Sequence, residues 1–154
     1  MSDLNLPNLF LLPTGFHFSV VIVVKGIPFP DLHFQEVSGL NVDIATKEFV
    51  EGGENRYKHQ LPQLPNYSNL VLKRGLVTGS FLIRWCTNAI ENYDFDPAFI
   101  MISLLNGKHI PTITWSITDA YPVKWNTAGF NAEKSELAIE TIELAYKYFT
   151  VYRL

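Results

Sequence analysis

The chain has 154 residues, of which 47% are hydrophobic and 18% charged, with a net charge of −3. That is the length and composition of one globular domain with a real core, not of a disordered segment. The acidic balance argues against a general nucleic-acid binder, which carries a basic surface, and no apolar run reaches the roughly 20 residues that a membrane-spanning helix needs.

The opening MSDLNLPNLFLLPTG is partly apolar, but Asp3 precedes the run and no basic segment leads it, so it reads poorly as a signal peptide. Residues 16–25 (FHFSVVIVVK) read as a strand. Phe16, Phe18, Val20, Ile22 and Val24 share one face, and His17, Ser19, Val21, Val23 and Lys25 the other. GIPFPD, with two prolines, is expected to break the chain. Residues 40–47 (LNVDIATK) alternate cleanly, with Leu40, Val42 and Ile44 against Asn41, Asp43, Ala45 and Lys47, and predict a half-buried strand. Residues 67–73 (YSNLVLK) predict a further one.

Between them lies the long stretch EGGENRYKHQLPQLP, residues 51–65. It is expected to be a connection from Val50 to Asn66, longer than the ~12–15 residues of ordinary loops, and such connections are usually functional or disordered. Gly52 and Gly53 give its backbone freedom. Tyr57, His59 and Leu61 alternate with Arg56, Lys58 and Gln60 in the manner of a strand. The pattern fits an arm reaching to a neighbouring subunit, and it equally fits the continuation of an ordinary hairpin.

In GSFLIRWCTNAIENYD the period changes. Phe81, Leu82, Trp85, Ala89 and Ile90 form one helical face, with Thr78 or Ser80 as the cap and Asp94 and Pro97 past the end. Residues 99–106 (FIMISLLN) are apolar on both faces, as in a central strand, and NGK at 106–108 gives a turn. Residues 112–118 (TITWSIT) alternate again, and AYPVKW is expected to bend away. The last stretch, ELAIETIELAYKYFTVY, fits a helix face (Ala138, Ile142, Ala145, Phe149) and a strand face (Ile142, Leu144, Tyr146, Tyr148, Thr150). Its Thr and aromatic content leans towards strand.

No catalytic, cofactor or metal set emerges. His17, His33, His59 and His109 lack metal-ligand spacing and read as surface or strand-end residues. Cys86 reads as a packed small hydrophobe. Glu136, Glu140 and Glu143 read as solvated charge, and Lys73-Arg74-Gly75 as a strand end.

The order and spacing of several blocks are more specific than any one of them. FQEVSGL (34–40), EGGENR (51–56), LVLKRG (70–75), Trp85, TWSITDAYPVKW (114–125) and FNAEKSELAIETIELAY (130–146) together resemble the tail tube proteins of contractile phage tails and extracellular injection systems. The resemblance spans roughly residues 16–150, and it implies a mainly β fold like that of the type VI ring proteins. Two packed antiparallel sheets or a β-barrel would carry one flanking helix, in a single domain over residues 1–154 with an arm around 50–66. It implies that the final segment is a strand and that hexameric rings stack into a hollow tube. The partners implied are further copies of the chain, sheath and baseplate proteins, and cargo or DNA passing through the lumen. There would be no membrane partner, no cofactor and no catalysis. Such a protein is made in the bacterial cytoplasm and built into a phage tail or an extracellular particle. The inter-subunit contact falls on Glu51, Gly52, Gly53, Asn55, Arg56, Tyr57, Lys58 and His59. The aromatic end YKYFTVYRL and the block LPQLPNYSNLVLKRGL depart from the pattern, while EGGENRYKH and YPVKW lean towards a tube-initiating member. The competing expectations are a small β-barrel holding a ligand in an apolar interior and, behind it, an enzyme.

Overall fold

Alternation of Phe18, Val20, Ile22 and Val24 turns these side chains into the protein along strand β1 (His17–Val24). The computed structural model describes residues 17–50, 52–53, 56–75, 79–128, 133 and 138–154, without the side chains of residues 31–33. Phe16, Thr78 and Glu136 from the sequence reading lie outside the described residues.

GIPFPD does not break the chain. Lys25 and Gly26, with φ of 51° and 78°, make a two-residue turn, the geometry that matches strand twist. The chain returns as β2 (Ile27–Phe34), with Pro28 opposite Val23 and Pro30 opposite Val21. β2 is the outermost strand, where a proline's missing N–H costs no ladder bond.

β3 (Glu36–Ser38) leads to β4 (Val42–Phe49) and β5 (His59–Tyr67), which pair only with each other. β6 (Leu70–Gly75) follows, then helix α1 (Phe81–Asn92), β7 (Ala98–Leu105), β8 (Pro111–Thr127), β9 (Ile139–Ala145) and β10 (Tyr148–Arg153). All pairings are antiparallel. The main sheet runs β2-β1-β7-β8-β9-β6-β3, with β10 also on β8.

The long strand β8 joins the two layers. Its first part lies between β7 and β10, and from Tyr121 onward it pairs with β9. The expected bend of AYPVKW is a bulge within a continuous strand. Ala98 faces Ala120, while two residues on Ile100 faces Ile117 three back, and Asp119 sits there with φ 52°. One extra residue re-aims a strand in this way. Lys147 holds the corner with its ammonium 2.6 Å from Asp119 Oδ2 and its N–H donating to Thr118 O at 3.0 Å.

The core joins Val20, Ile22, Ile100, Ile102 and Ile117 of one layer to Leu70, Leu72, Ile142 and Leu144 of the other. Both C-terminal segments are strands, which excludes the helical face. α1 closes the core with Leu82, Trp85, Cys86 and Ala89. Ile90, expected on that face, is exposed. At 100° per residue it lies a quarter turn from the stripe centred between Trp85 and Cys86. Ser80 takes the N-cap position with extended backbone, and Tyr93 ends the helix in the left-handed region.

Glu140 contradicts its reading as solvated charge: it is 0% exposed, beside Arg74 at 1%. Arg74 Nε donates to Glu140 Oε2 at 3.3 Å, Trp125 Nε1 donates to Glu140 Oε1 at 2.7 Å, and the guanidinium lies 5.0 Å over the Phe34 ring. Burial of Cys86, with Glu140 adding and Arg74 opposing, pushes its thiol pKa up to about 12.

Candidate functional site

Residues 42–67 form a two-stranded ribbon outside the main sheet. The second half of the expected long connection is therefore strand. His59–Tyr67 pairs back onto Val42–Phe49, and Val50, Gly52, Gly53 and residues 56–58 lie between the strands at the tip. Pro62 and Pro65 are accommodated because each strand of a lone pair keeps one free edge. An irregularity between Ile44 and Thr46, set against Pro65 and Pro62, bends the ribbon midway.

Every residue of β4 is exposed, and so is all of β5 except its two end residues. This overturns the half-buried expectation for Val42 and Ile44. Val42, Ile44, Phe49, Val50, Tyr57 and Leu61 all present apolar surface, and Leu64 is 88% exposed. A hairpin wet on both faces is marginal by itself. Contiguous exposed apolar surface on a soluble protein marks a place for a partner.

The expected contact residues gather at the tip. Gly52 and Gly53 are exposed there, Gly53 with φ 100°. Arg56, Tyr57 and Lys58 are exposed, and His59 opens β5 opposite Phe49. Strand alternation begins at His59, not at Arg56. Tyr57 packs edge-on to His59 at 4.9 Å, and Lys58 Nζ donates to Glu48 Oε2 at 3.4 Å. That exposed pair stays within the ribbon and contributes about 0–1 kcal/mol. Glu51 and Asn55 lie outside the described residues.

The remaining exposed surface is arranged by edge. β2 is blocked by its prolines, whereas β10, at the other end of its layer, presents Tyr148, Val151 and Tyr152. Among the described residues β10 pairs with β8 alone, and an edge of this kind offers backbone groups to another chain. An open groove of about 610 Å³ lies between α1 and the β1–β2 hairpin, floored by Val24, Ile27, Phe81 and Trp85. Phe29 and Phe81 stack across it at 3.6 Å.

One further pair of chemical groups has no trace in the sequence. His17 Nε2 and His109 Nδ1 are 2.8 Å apart. They are ninety-two positions apart in the chain, so no spacing motif could reveal them. Among the described residues no three or more His, Cys, Asp or Glu side chains gather as a metal site. No helix there is long and apolar enough to cross a membrane. The interior where a barrel ligand would sit is filled by Ile22, Leu72, Ile100, Ile117 and Ile142, each 0% exposed.

Comparison with known proteins agrees with this geometry. A family model described as T4-like virus tail tube protein gp19 matches residues 14–150. A chain in the cryo-EM structure of the anti-feeding prophage baseplate is similar, with TM-score 0.82, 29% identity and coverage of 93% of this chain and 97% of that one. A chain of the sheath–tube complex of an extracellular contractile injection system, PVC, in the extended state gives TM-score 0.76 and 24% identity, over 100% and 99% of the two chains. Hcp1 from Flavobacterium johnsoniae shares the fold at TM-score 0.54 and 14% identity, over 88% of this chain and 96% of that one. No curated protein sequence matches the chain.

Proposed function

Because the chain belongs to the T4-like virus tail tube protein family, we propose that it is a non-enzymatic subunit of the hollow inner tube of a contractile injection system or phage tail. Six copies close into a ring, and rings stack. Their role is mechanical: a stiff conduit, driven by its sheath, guides cargo without binding it specifically. Similarity at 29% identity to a chain in a baseplate structure supports reading it as the first ring at the baseplate.

The observation that carries this reading is the ribbon. Its apolar residues are exposed among the described residues, and repeated copies of the same chain would supply cover at every position of a ring. Gly52, Gly53, Arg56, Tyr57, Lys58 and His59 at the tip, with Glu51 and Asn55, are the proposed contact. The open β10 edge is a second one, for ring closure.

Mass measurement and negative-stain microscopy test the ring directly, with the protein alone and with its sheath and baseplate partners. Hexameric rings are expected. A monomer at high concentration that also fails to enter rings with those partners overturns the reading. Replacing residues 50–58 with a short Gly/Ser turn tests the tip. The shortened protein should melt as the parent does, because loop length has a weak effect on stability, and should not assemble. Full-length particles from that variant would make the tip an ordinary turn.

A further inference from the structure

A lone hairpin tied to its domain by two short connectors should swing, yet the base of this ribbon is clasped. The incoming connector is residues 39–41 and the outgoing one residues 68–69. They press together where Gly39, with φ +86°, lies against the Asn69 backbone, so closely that a Cβ would fall 1.9 Å from Asn69 O. Ser68 N–H donates to Asn41 O at 3.2 Å. Both connectors are then fixed to the corner between β9 and β10. Tyr146 donates its hydroxyl to Gly39 O at 3.4 Å, and Asn69 Nδ2 donates to Glu143 Oε1 at 3.0 Å.

Aromatic rings complete the clasp. Tyr67, the last residue of the ribbon, meets Phe149 edge-on at 5.2 Å and Tyr146 at 5.9 Å. Tyr146 and Phe149 lie 6.1 Å apart and both pack on the core. Edge-to-face pairs at such distances are directional and so hold an angle as well as a distance. The corner itself is anchored through Lys147 to the Asp119 bulge. A continuous line of contacts thus runs from the bend of β8, through the β9–β10 corner, to the ribbon.

We infer that Tyr146, acting with Tyr67 and Phe149, is a positioning residue that fixes the angle at which the ribbon leaves the body and so presets it for a second copy of the chain. The part concerning a second copy rests on the tube-subunit reading. The energetic logic is preorganisation: an arm already held in its docked direction loses less freedom on docking. If releasing the clasp leaves that direction occupied a tenth of the time, apparent affinity falls about ten-fold. Burial, with Tyr67 adding, raises the Tyr146 hydroxyl to about 12, so it remains a donor at any neutral pH.

The experiment uses the whole chain with spin labels at Gln60→Cys on the ribbon and Glu91→Cys on α1, both exposed positions. Cys86 stays in place, because it is buried. Pulsed electron paramagnetic resonance on the unassembled protein reads the spread of ribbon–body distances. A single narrow distribution is expected for the parent. Tyr146→Leu should widen it about two-fold or more, because one clasped state becomes several, while Tyr146→Phe, which keeps the ring, should stay near the parent. Tyr67→Leu removes the same ring contacts from the ribbon side and decides the matter if Tyr146→Leu does not fold. Assembly with sheath and baseplate, measured well below each variant's melting temperature, should slow in step with the widening. Distributions that remain narrow in both leucine variants overturn the positioning role. Widened distributions with undiminished assembly leave the clasp standing and overturn the docking role of the ribbon.

Discussion

Strands β4 (VDIATKEF) and β6 (LVLKRG) both set aliphatic residues at alternate positions, Val42 and Ile44 in the first and Leu70 and Leu72 in the second. In β6, Leu70, Leu72 and Arg74 are buried and the residues between them are not. In β4, all eight residues are exposed. The same period-two pattern is satisfied inside one protomer in the first case and left open in the second. Alternation therefore states that a face needs covering without stating which molecule covers it. Substitutions in the two regions should accordingly separate: losses in the body appear as stability, losses in the ribbon as assembly.

The largest effects belong to the body. Trp85 is 6% exposed and donates to Asp96 O at 2.9 Å. Trp85→Ala should cost about 3–5 kcal/mol in chemical denaturation, a large share of a typical domain's ~5–15 kcal/mol. A variant that keeps its midpoint but loses assembly would move the helix face from the body's side of the comparison to the ribbon's.

Glu140→Ala should cost a similar amount, about 3–5 kcal/mol, since it takes a buried carboxylate from the Arg74 guanidinium and leaves Trp125 Nε1 without its acceptor. Replacing Arg74 and Glu140 together with Met and Leu should recover much of the loss, as buried pairs often exchange for apolar residues at little cost. A double variant no better than the single ones would mean that the pair does more than occupy the core.

Alkaline pH gives a graded test of the same core. Cys86 is raised from 9.0 to about 12 in the folded protein. A raised pKa means that the folded state holds the proton more tightly. The stabilisation is complete below about pH 9 and is lost as pH rises towards 12. The slope is about 1.4 kcal/mol per pH unit for this group. Urea midpoints followed across that window should fall less steeply in Cys86→Ala than in the parent. Parallel curves would show that the thiol is not what titrates.

The smallest stability effect should come from the ribbon. Ile44→Ser with Leu64→Ser changes exposed positions, which usually move stability within about 0.5 kcal/mol each, yet it removes apolar surface proposed to meet a second copy. Thermal melting and particle counts on the same preparation check both halves. A large drop in melting temperature would place these side chains in the body's cooperative unit and erase the contrast drawn between β4 and β6.

Much of the architecture was written in the sequence, because period and composition are local properties. Val20, Ile22 and Val24 announced β1, Ile100 and Ile102 announced a central strand, and Leu82, Trp85 and Ala89 announced the face of α1. Even the Arg74–Glu140 pair had a trace there. Arg74 continues the inward series of Leu70 and Leu72, and Glu140 begins that of Ile142 and Leu144, so two opposite charges sit on two core-facing stripes. Solvated charge was the wrong reading because a period shows which face a residue joins, not how deep that face lies. Only the tertiary structure decided what depends on distant segments meeting. It placed the prolines of β2 on an outer edge, where their missing donors cost nothing. It set Arg74 opposite Glu140, sixty-six positions apart, and brought His17 to His109. It turned a supposed loop into a ribbon, since Pro62 and Pro65 forbid a strand only where a neighbour needs their N–H. It closed Tyr67, Tyr146 and Phe149 around the ribbon's base. Each of these outcomes is a contact between residues far apart in the chain, and its free energy exists only once the fold has brought them together.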